Sequence, residues 1–65
     1  MDAEQIKANW NKVKGDIKKQ WGKLTDDDLA EAEGHRDYLI GKIQERYGIA
    51  KDEARRQLDE FEKKL

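Results

Sequence analysis

The apolar residues of this chain recur at intervals of three and four, which is the period of one face of an α-helix. In the first third of the chain they fall within a sector of about 80° on a helical projection. They are Ala3, Ile6, Trp10, Val13, Ile17 and Trp21. This spacing predicts a first helix over residues 3–21. Gly22 follows it, and we expect this glycine to end the helix in the left-handed conformation.

A helix-start signal follows this first helix. Thr25 is suited to the N-cap, and Asp28 stands at the third helical position, as in a capping box. Leu24 and Leu29 flank these residues in the positions of a hydrophobic staple. Aspartates in a first turn also suit the positive end of a helix. The sequence therefore predicts a short second helix over residues 26–33.

Two further helices complete the pattern, over about residues 35–47 and 51–65. Gly34 either separates the second helix from the third or bends the two into one, and the sequence leaves both readings open. Gly48 is expected to end the third helix, and Ala50 offers only a weak N-cap to the fourth. The apolar faces of these two helices consist of Leu39, Ile40, Ile43, Tyr47, Ala54, Leu58, Phe61 and Leu65.

A spacing of 26 residues relates the first helix to the third. Val13, Gly15, Ile17, Trp21 and Gly22 recur as Leu39, Gly41, Ile43, Tyr47 and Gly48. No proline and no alternating strand pattern interrupts the chain. Short connections favour helices that are neighbours in space. The sequence therefore predicts an all-α fold with four short helices packed as two helical hairpins.

Composition narrows the class of protein. With 65 residues there is room for a single domain over residues 1–65, and the absence of cysteine excludes disulfides and cysteine chemistry. Charged residues make up 45% of the chain, yet the net charge is only −1. Residues 1–24 carry a net charge of +3 and residues 25–34 one of −5, so the molecule is expected to be electrically polar. No apolar run approaches the length of a membrane span.

The lysines of the first helix raise the question of nucleic-acid binding. Helical projection places Lys7, Lys14 and Lys18 on one flank, where they are candidate phosphate contacts. The other three lysines, at positions 12, 19 and 23, fall on the opposite flank, so no single basic stripe forms. Trp10 and Trp21 could stack on bases, but their position in the apolar seam favours core packing. Nucleic-acid binding is therefore the less favoured reading.

The chain offers little for catalysis or cofactor binding. The aspartates at 26–28 lack the spacing of a calcium loop, because Glu31 stands where that loop needs glycine. His35 is the only histidine, and Thr25 is already assigned to a helix cap. We therefore expect a protein that is not an enzyme and that uses no metal and no cofactor.

Gly15 and Gly41 lie inside predicted helices, opposite the apolar seams. Glycine there is less favourable than alanine by about 0.5 to 1 kcal/mol, so each position calls for an explanation. The favoured explanation is close approach of another part of the chain or local softness of the helix. The alternative is a partner surface formed by Gly15, Gly41 and an outward-facing Tyr38.

Two strings carry a resemblance to a known family. They are W-G-K-L-T-x-D-D, beginning at Trp21, and G-K-I-Q-E-R-Y-G, beginning at Gly41. With Trp10, Gly15 and the stretch 33–39 between them, the pattern resembles the CsbD-like family of small bacterial proteins. The resemblance covers nearly the whole chain except residues 51–65, which are generic.

The resemblance implies a cytoplasmic bacterial protein of the general stress response, whose molecular activity is undefined. It also implies an array similar to the SAM domain, in which the two hairpins pack roughly orthogonally. No catalytic or binding residues are implied. We expect a non-enzymatic interaction module with an unidentified protein partner, monomeric or weakly self-associating and without a membrane. The alternatives are a nucleic-acid binder and a hydrophilic stress protectant.

Overall fold

The computed structural model describes residue 6 and residues 8–64 of the chain. Within these residues it contains four α-helices and no strand, which confirms the all-α prediction. The helices are α1 (Trp10–Gln20), α2 (Asp26–Ala32), α3 (Arg36–Tyr47) and α4 (Lys51–Glu62). Helix α3 packs against both α2 and α4. The SAM-like orthogonal arrangement of two hairpins stays a prediction.

The first helix begins later than the hydrophobic pattern predicts. Asn9 is its N-cap, with φ −112° and ψ 25°, and the Asn9 carbonyl accepts the N–H of Val13 at 2.8 Å. Asparagine is favoured at N-caps. A periodic apolar stripe cannot reveal such a break, because the buried Ile6 continues the stripe on the other side of it. Ala3 lies outside the described residues.

The predicted left-handed end at Gly22 is wrong. Helix α1 ends at Gln20, and Trp21 is the C-cap with φ −123° and ψ 78°. Its N–H donates to the carbonyl of Ile17 at 2.8 Å. The chain thus leaves the helix through non-helical backbone at Trp21, and Gly22 is not among the residues with positive φ. The large side chain of Trp21 is drawn into the core, which fixes where the chain turns.

The start of α2 is the predicted capping box. The N–H of Asp28 donates to Thr25 Oγ1 at 3.0 Å, and the N–H of Thr25 donates to Asp28 Oδ2 at 3.1 Å. Leu24 and Leu29 are both buried, as expected of a hydrophobic staple. The helix ends where two consecutive residues adopt positive φ, of 48° and 86°, at positions 33 and 34. Gly34 therefore separates α2 from α3.

Helix α3 ends as predicted. Gly48 adopts φ 63° and donates its N–H to the carbonyl of Gln44 at 2.8 Å. Helix α4 begins after Ala50, which makes no side-chain cap hydrogen bond, also as predicted. Helix α4 ends at Glu62, and Leu65 lies outside the described residues.

One hydrophobic core joins all four helices. Trp21 is 1% exposed, donates its indole N–H to Gln57 Oε1 at 3.0 Å, and packs its ring 5.3 Å from that of Phe61. The core placement predicted for Trp21 is thus confirmed, whereas Trp10 is only half-buried at the edge of the core. The buried apolar residues are Ile6, Val13, Ile17, Trp21, Leu24, Leu29, Ala32, Leu39, Ile40, Ile43, Ala54, Leu58 and Phe61.

Candidate interaction surface

A shallow groove of about 250 Å³ opens between α1 and α2. Trp10, Leu29 and Ala30 form its apolar lining. Lys14 and Lys18 of α1 and Asp26 of α2 form its charged lining. Gly15 completes the α1 side of this surface, which we call the α1–α2 groove. An apolar strip bordered by fixed charges is suited to binding another polypeptide segment.

The expected close approach of another chain segment to Gly15 and Gly41 is wrong. Both glycines are exposed, and a Cβ built at either one meets no atom within 4 Å outside its own helix. The physical reason is their position opposite the buried seams of α1 and α3, where no other element passes. Gly15 borders the α1–α2 groove, whereas Gly41 lies on the open face of α3.

The charges of the groove are partly paired with each other. The Lys18 ammonium forms an ion pair with the Asp26 carboxylate. The hydrogen bond from Lys18 and its charge lower the pKa of Asp26, and Lys14 lowers it further. Of the three candidate phosphate contacts, Lys14 is exposed, Lys18 is engaged with Asp26, and Lys7 lies outside the described residues. A phosphate group would have to compete with Asp26 for Lys18.

The prediction of an outward-facing Tyr38 is corrected by the structure. The ring is half-buried and packs against the hydrophobic core, because α2 lies beside it. The Tyr38 hydroxyl donates to the Glu31 carboxylate, and this hydrogen bond raises the pKa of Tyr38. The Lys42 ammonium lies 5.7 Å from the ring centroid. Tyr38 thus meets α2 from the α3 side, whereas Gly15 borders α2 from the α1 side.

An ion pair between α2 and α3 was not predicted. Asp28 is buried, and Arg46 donates to both of its carboxylate oxygens, at 2.9 Å and 3.1 Å. Lys42 approaches within 3.7 Å. The hydrogen bond from Arg46, together with that from the Thr25 N–H, lowers the pKa of Asp28 to about 2. Asp28 therefore caps its own helix and also fixes α2 against α3.

A second buried carboxylate, Glu62, joins the ends of α3 and α4. Arg36 donates its Nε–H to Glu62 Oε1 at 2.9 Å and also pairs with Asp59. The other oxygen, Oε2, is buried and has no hydrogen-bond partner among the described residues. A polar groove of about 440 Å³ lies beside it on α4, bordered by both acidic and basic side chains.

The remaining expectations concern metals and membranes. In the part of the chain that the structure describes, no group of three or more His, Asp or Glu side chains is arranged to hold a metal ion. His35 is exposed at the N-cap of α3. Among the described helices, none is both long enough and apolar enough to cross a bilayer.

Comparison with known proteins identifies the family. A family model described as CsbD-like matches residues 4–56. The chain belongs to the CsbD-like family. The UPF0337 protein YjbJ of Escherichia coli O6:H1 is 53% identical over 64 residues, covering 98% of this chain and 93% of that relative. The UPF0337 protein PA4738 of Pseudomonas aeruginosa is 48% identical over 65 residues, covering the full length of both chains.

No solved structure matches the chain. The helix positions and contacts described above are thus specific to this structure. The family assignment confirms the resemblance carried by the strings at Trp21 and Gly41, and CsbD-like membership adds no catalytic residue to the chain.

Proposed function

We propose that this CsbD-like protein is a non-enzymatic interaction module of the bacterial general stress response, acting in the cytoplasm. Family membership supports the stress role. The observation that carries the molecular part of the proposal is the α1–α2 groove, where an apolar strip lies open beside Gly15. Our proposal is that a polypeptide partner binds there and that binding itself is the activity.

The glycine in the groove supports this proposal. Glycine inside a helix costs about 0.5 to 1 kcal/mol relative to alanine. Folding gives no reason for that cost at Gly15, because a Cβ there would meet open space. A binding partner gives one, since a side chain at this position would reduce access to the apolar lining.

The two alternative functions fit the groove less well. A protectant that acts through abundance and charge needs no apolar groove. A nucleic-acid binder needs clustered, available cations, and Lys18 is already paired with Asp26 within the same chain.

Paired leucine substitutions at the two related glycines test the proposal. Gly15→Leu places a bulky side chain beside the groove, and Gly41→Leu is the matched control at the position 26 residues later. Each glycine is exposed and has open space around an added Cβ. Each variant would replace the native protein in a bacterium lacking its own family member, with survival measured after osmotic shock and in stationary phase.

We expect Gly15→Leu to abolish rescue while Gly41→Leu retains it. Circular dichroism and immunoblotting must show that both variants are folded and equally abundant. Full rescue by both variants would contradict a functional role for the groove. Loss of rescue with Gly41→Leu alone would contradict the groove and place the functional surface on α3.

A further inference from the structure

We infer that the partner which fits the α1–α2 groove is a second copy of this chain, bound about a twofold axis that runs along the groove. This inference rests on the proposed function and names the partner that the groove accepts. It is carried by the opposite charges of the two helices that border the groove.

The charges along α1 and α2 are strongly asymmetric. Helix α1 carries four lysines and one aspartate, and all five are exposed. Helix α2 carries no basic residue, and its buried Asp28 is already paired with Arg46. Its remaining acidic residues are exposed, and Glu33 follows directly at its C-cap. One side of the groove is therefore basic and the other acidic.

A surface with this pattern is complementary to itself in one orientation. A twofold axis parallel to the groove places α1 of each copy opposite α2 of the other, so Lys14 of one copy faces Asp26 of its partner. An axis across the groove would instead place lysines opposite lysines and aspartates opposite aspartates. Electrostatic complementarity selects the first orientation and rejects the second.

The size of the molecule limits how stable such a dimer can be. The accessible surface of the chain is 4290 Å². A standard interface of about 800 Å² per partner would cover roughly one fifth of it, far more than the groove itself. The dimer is therefore weak, and its strength depends on charges in water, which salt screens.

Sedimentation velocity of the full chain measures this association directly. We expect the average mass to rise above the 7.6 kDa monomer as the protein concentration increases from about 10 μM to about 1 mM at low salt. Raising the salt to about 0.5 M should weaken dimerisation by roughly tenfold, because the Debye length falls below the distance between charges on facing helices.

A charge exchange tests the orientation. Lys14→Glu alone places acid opposite acid in both halves of the dimer, and Asp26→Lys alone places base opposite base. Each variant by itself should dimerise about tenfold more weakly than the wild type, or not measurably. Mixing the two variants restores opposite charges at both contacts, so the mixture should form a heterodimer of wild-type strength.

A control and a stability measurement complete the experiment. Lys51→Glu makes the same change in net charge at an exposed position of α4, away from the groove, and should leave dimerisation unchanged. Thermal melts identify any variant that fails to fold. If Lys14→Glu does not fold, the Asp26→Lys variant alone still carries the prediction, since it must lose the dimer.

A monomer at all concentrations and salts would overturn this inference, and so would a mixture of the two variants that remains monomeric. Neither result would overturn the proposed function, which fails only if Gly15→Leu rescues stressed cells. A monomer together with loss of rescue by Gly15→Leu would show that the groove binds a different protein.

Discussion

The stretches around α1 and α3, related by the 26-residue spacing, share a pattern of burial but not a way of ending. Val13 and Ile17 are buried like their counterparts Leu39 and Ile43, and the glycine between each pair is exposed. The aromatic residue and the glycine that follow then differ in conformation and contacts. The same sequence pattern therefore fixes which helix face is buried, but not how the chain leaves the helix.

Contacts with distant residues account for the difference. Trp21 is held inside the core by Gln57 and Phe61 of α4, and the chain leaves α1 through it. Tyr47 is only half-buried, and its hydroxyl accepts the N–H of Lys23 at 3.1 Å. The second stretch thus borders the turn of the first. Helix α3 then ends by backbone geometry alone, with Gly48 in the left-handed conformation.

The largest expected difference between the two stretches lies at the aromatic residues. Trp21→Ala should lower the free energy of unfolding by about 3 to 5 kcal/mol, because it empties a fully buried site. Tyr47→Ala should cost less than half as much, since much of that ring already contacts solvent. Urea denaturation followed by circular dichroism measures both values. Equal losses would contradict the difference in burial.

Asp28, which connects the turn after the first stretch to α3, should make stability depend on pH. Its pKa is lowered to about 2 in the folded state from 3.8, so its contribution is fully present above about pH 4 and is lost as the pH falls through about 2. Asp28→Asn should cost about 1 to 2 kcal/mol at pH 7 and flatten the stability profile between pH 4 and pH 2.

Glu53 provides the matched control for this pH experiment. Its pKa is also lowered to about 2, through hydrogen bonds from Arg56 and Gln57. Its side chain, however, is 37% exposed, so solvent screens the interaction. Glu53→Gln should therefore flatten the profile less than Asp28→Asn does, and the reverse order would show that Arg46 does not hold Asp28 as described.

The two glycines that follow the helices should respond differently to alanine. Gly48→Ala should destabilise the protein by about 1 kcal/mol, because a Cβ is unfavourable at φ 63°. Gly22→Ala should be neutral or slightly stabilising, since Gly22 has no positive φ and open space surrounds it. Thermal melts compare the pair, and a strong loss at Gly22 would mean that it needs the conformations reserved for glycine.

The smallest effects are expected at the glycines inside the helices. Gly15→Ala and Gly41→Ala should each raise the stability of the isolated protein by about 0.5 to 1 kcal/mol, as alanine favours the helix and a methyl group has room at both positions. Calorimetry measures the rise in melting temperature. A loss at either glycine would reveal a contact with that position.

Local interactions explain which parts of the fold could be predicted from the sequence. The capping box of Thr25 with Asp28 and the end of α3 at Gly48 depend on residues within four positions of each other, so the sequence contains the complete signal. Burial of the apolar stripes was predicted from helical periodicity for the same reason. The family was recognised from two contiguous strings.

The features that were missed depend on residues far apart in sequence. Arg46 lies 18 positions from Asp28, and Gln57 lies 36 positions from Trp21, so no local pattern pairs them. The groove beside Gly15 was not predicted because it exists only once α2 lies next to α1. The sequence did mark Gly15 as unexplained by folding, which is the signal that led to the groove.

The hydrogen bond between Trp21 and Gln57 has a consequence for the order of folding. It closes a loop of 36 residues, twice the 18 residues closed by the pairing of Asp28 with Arg46. Longer loops close at a greater entropic cost, so we expect α2 and α3 to associate before the end of α1 docks on α4. In stopped-flow kinetics, Gln57→Ala should then mainly accelerate unfolding, whereas Arg46→Ala should slow refolding.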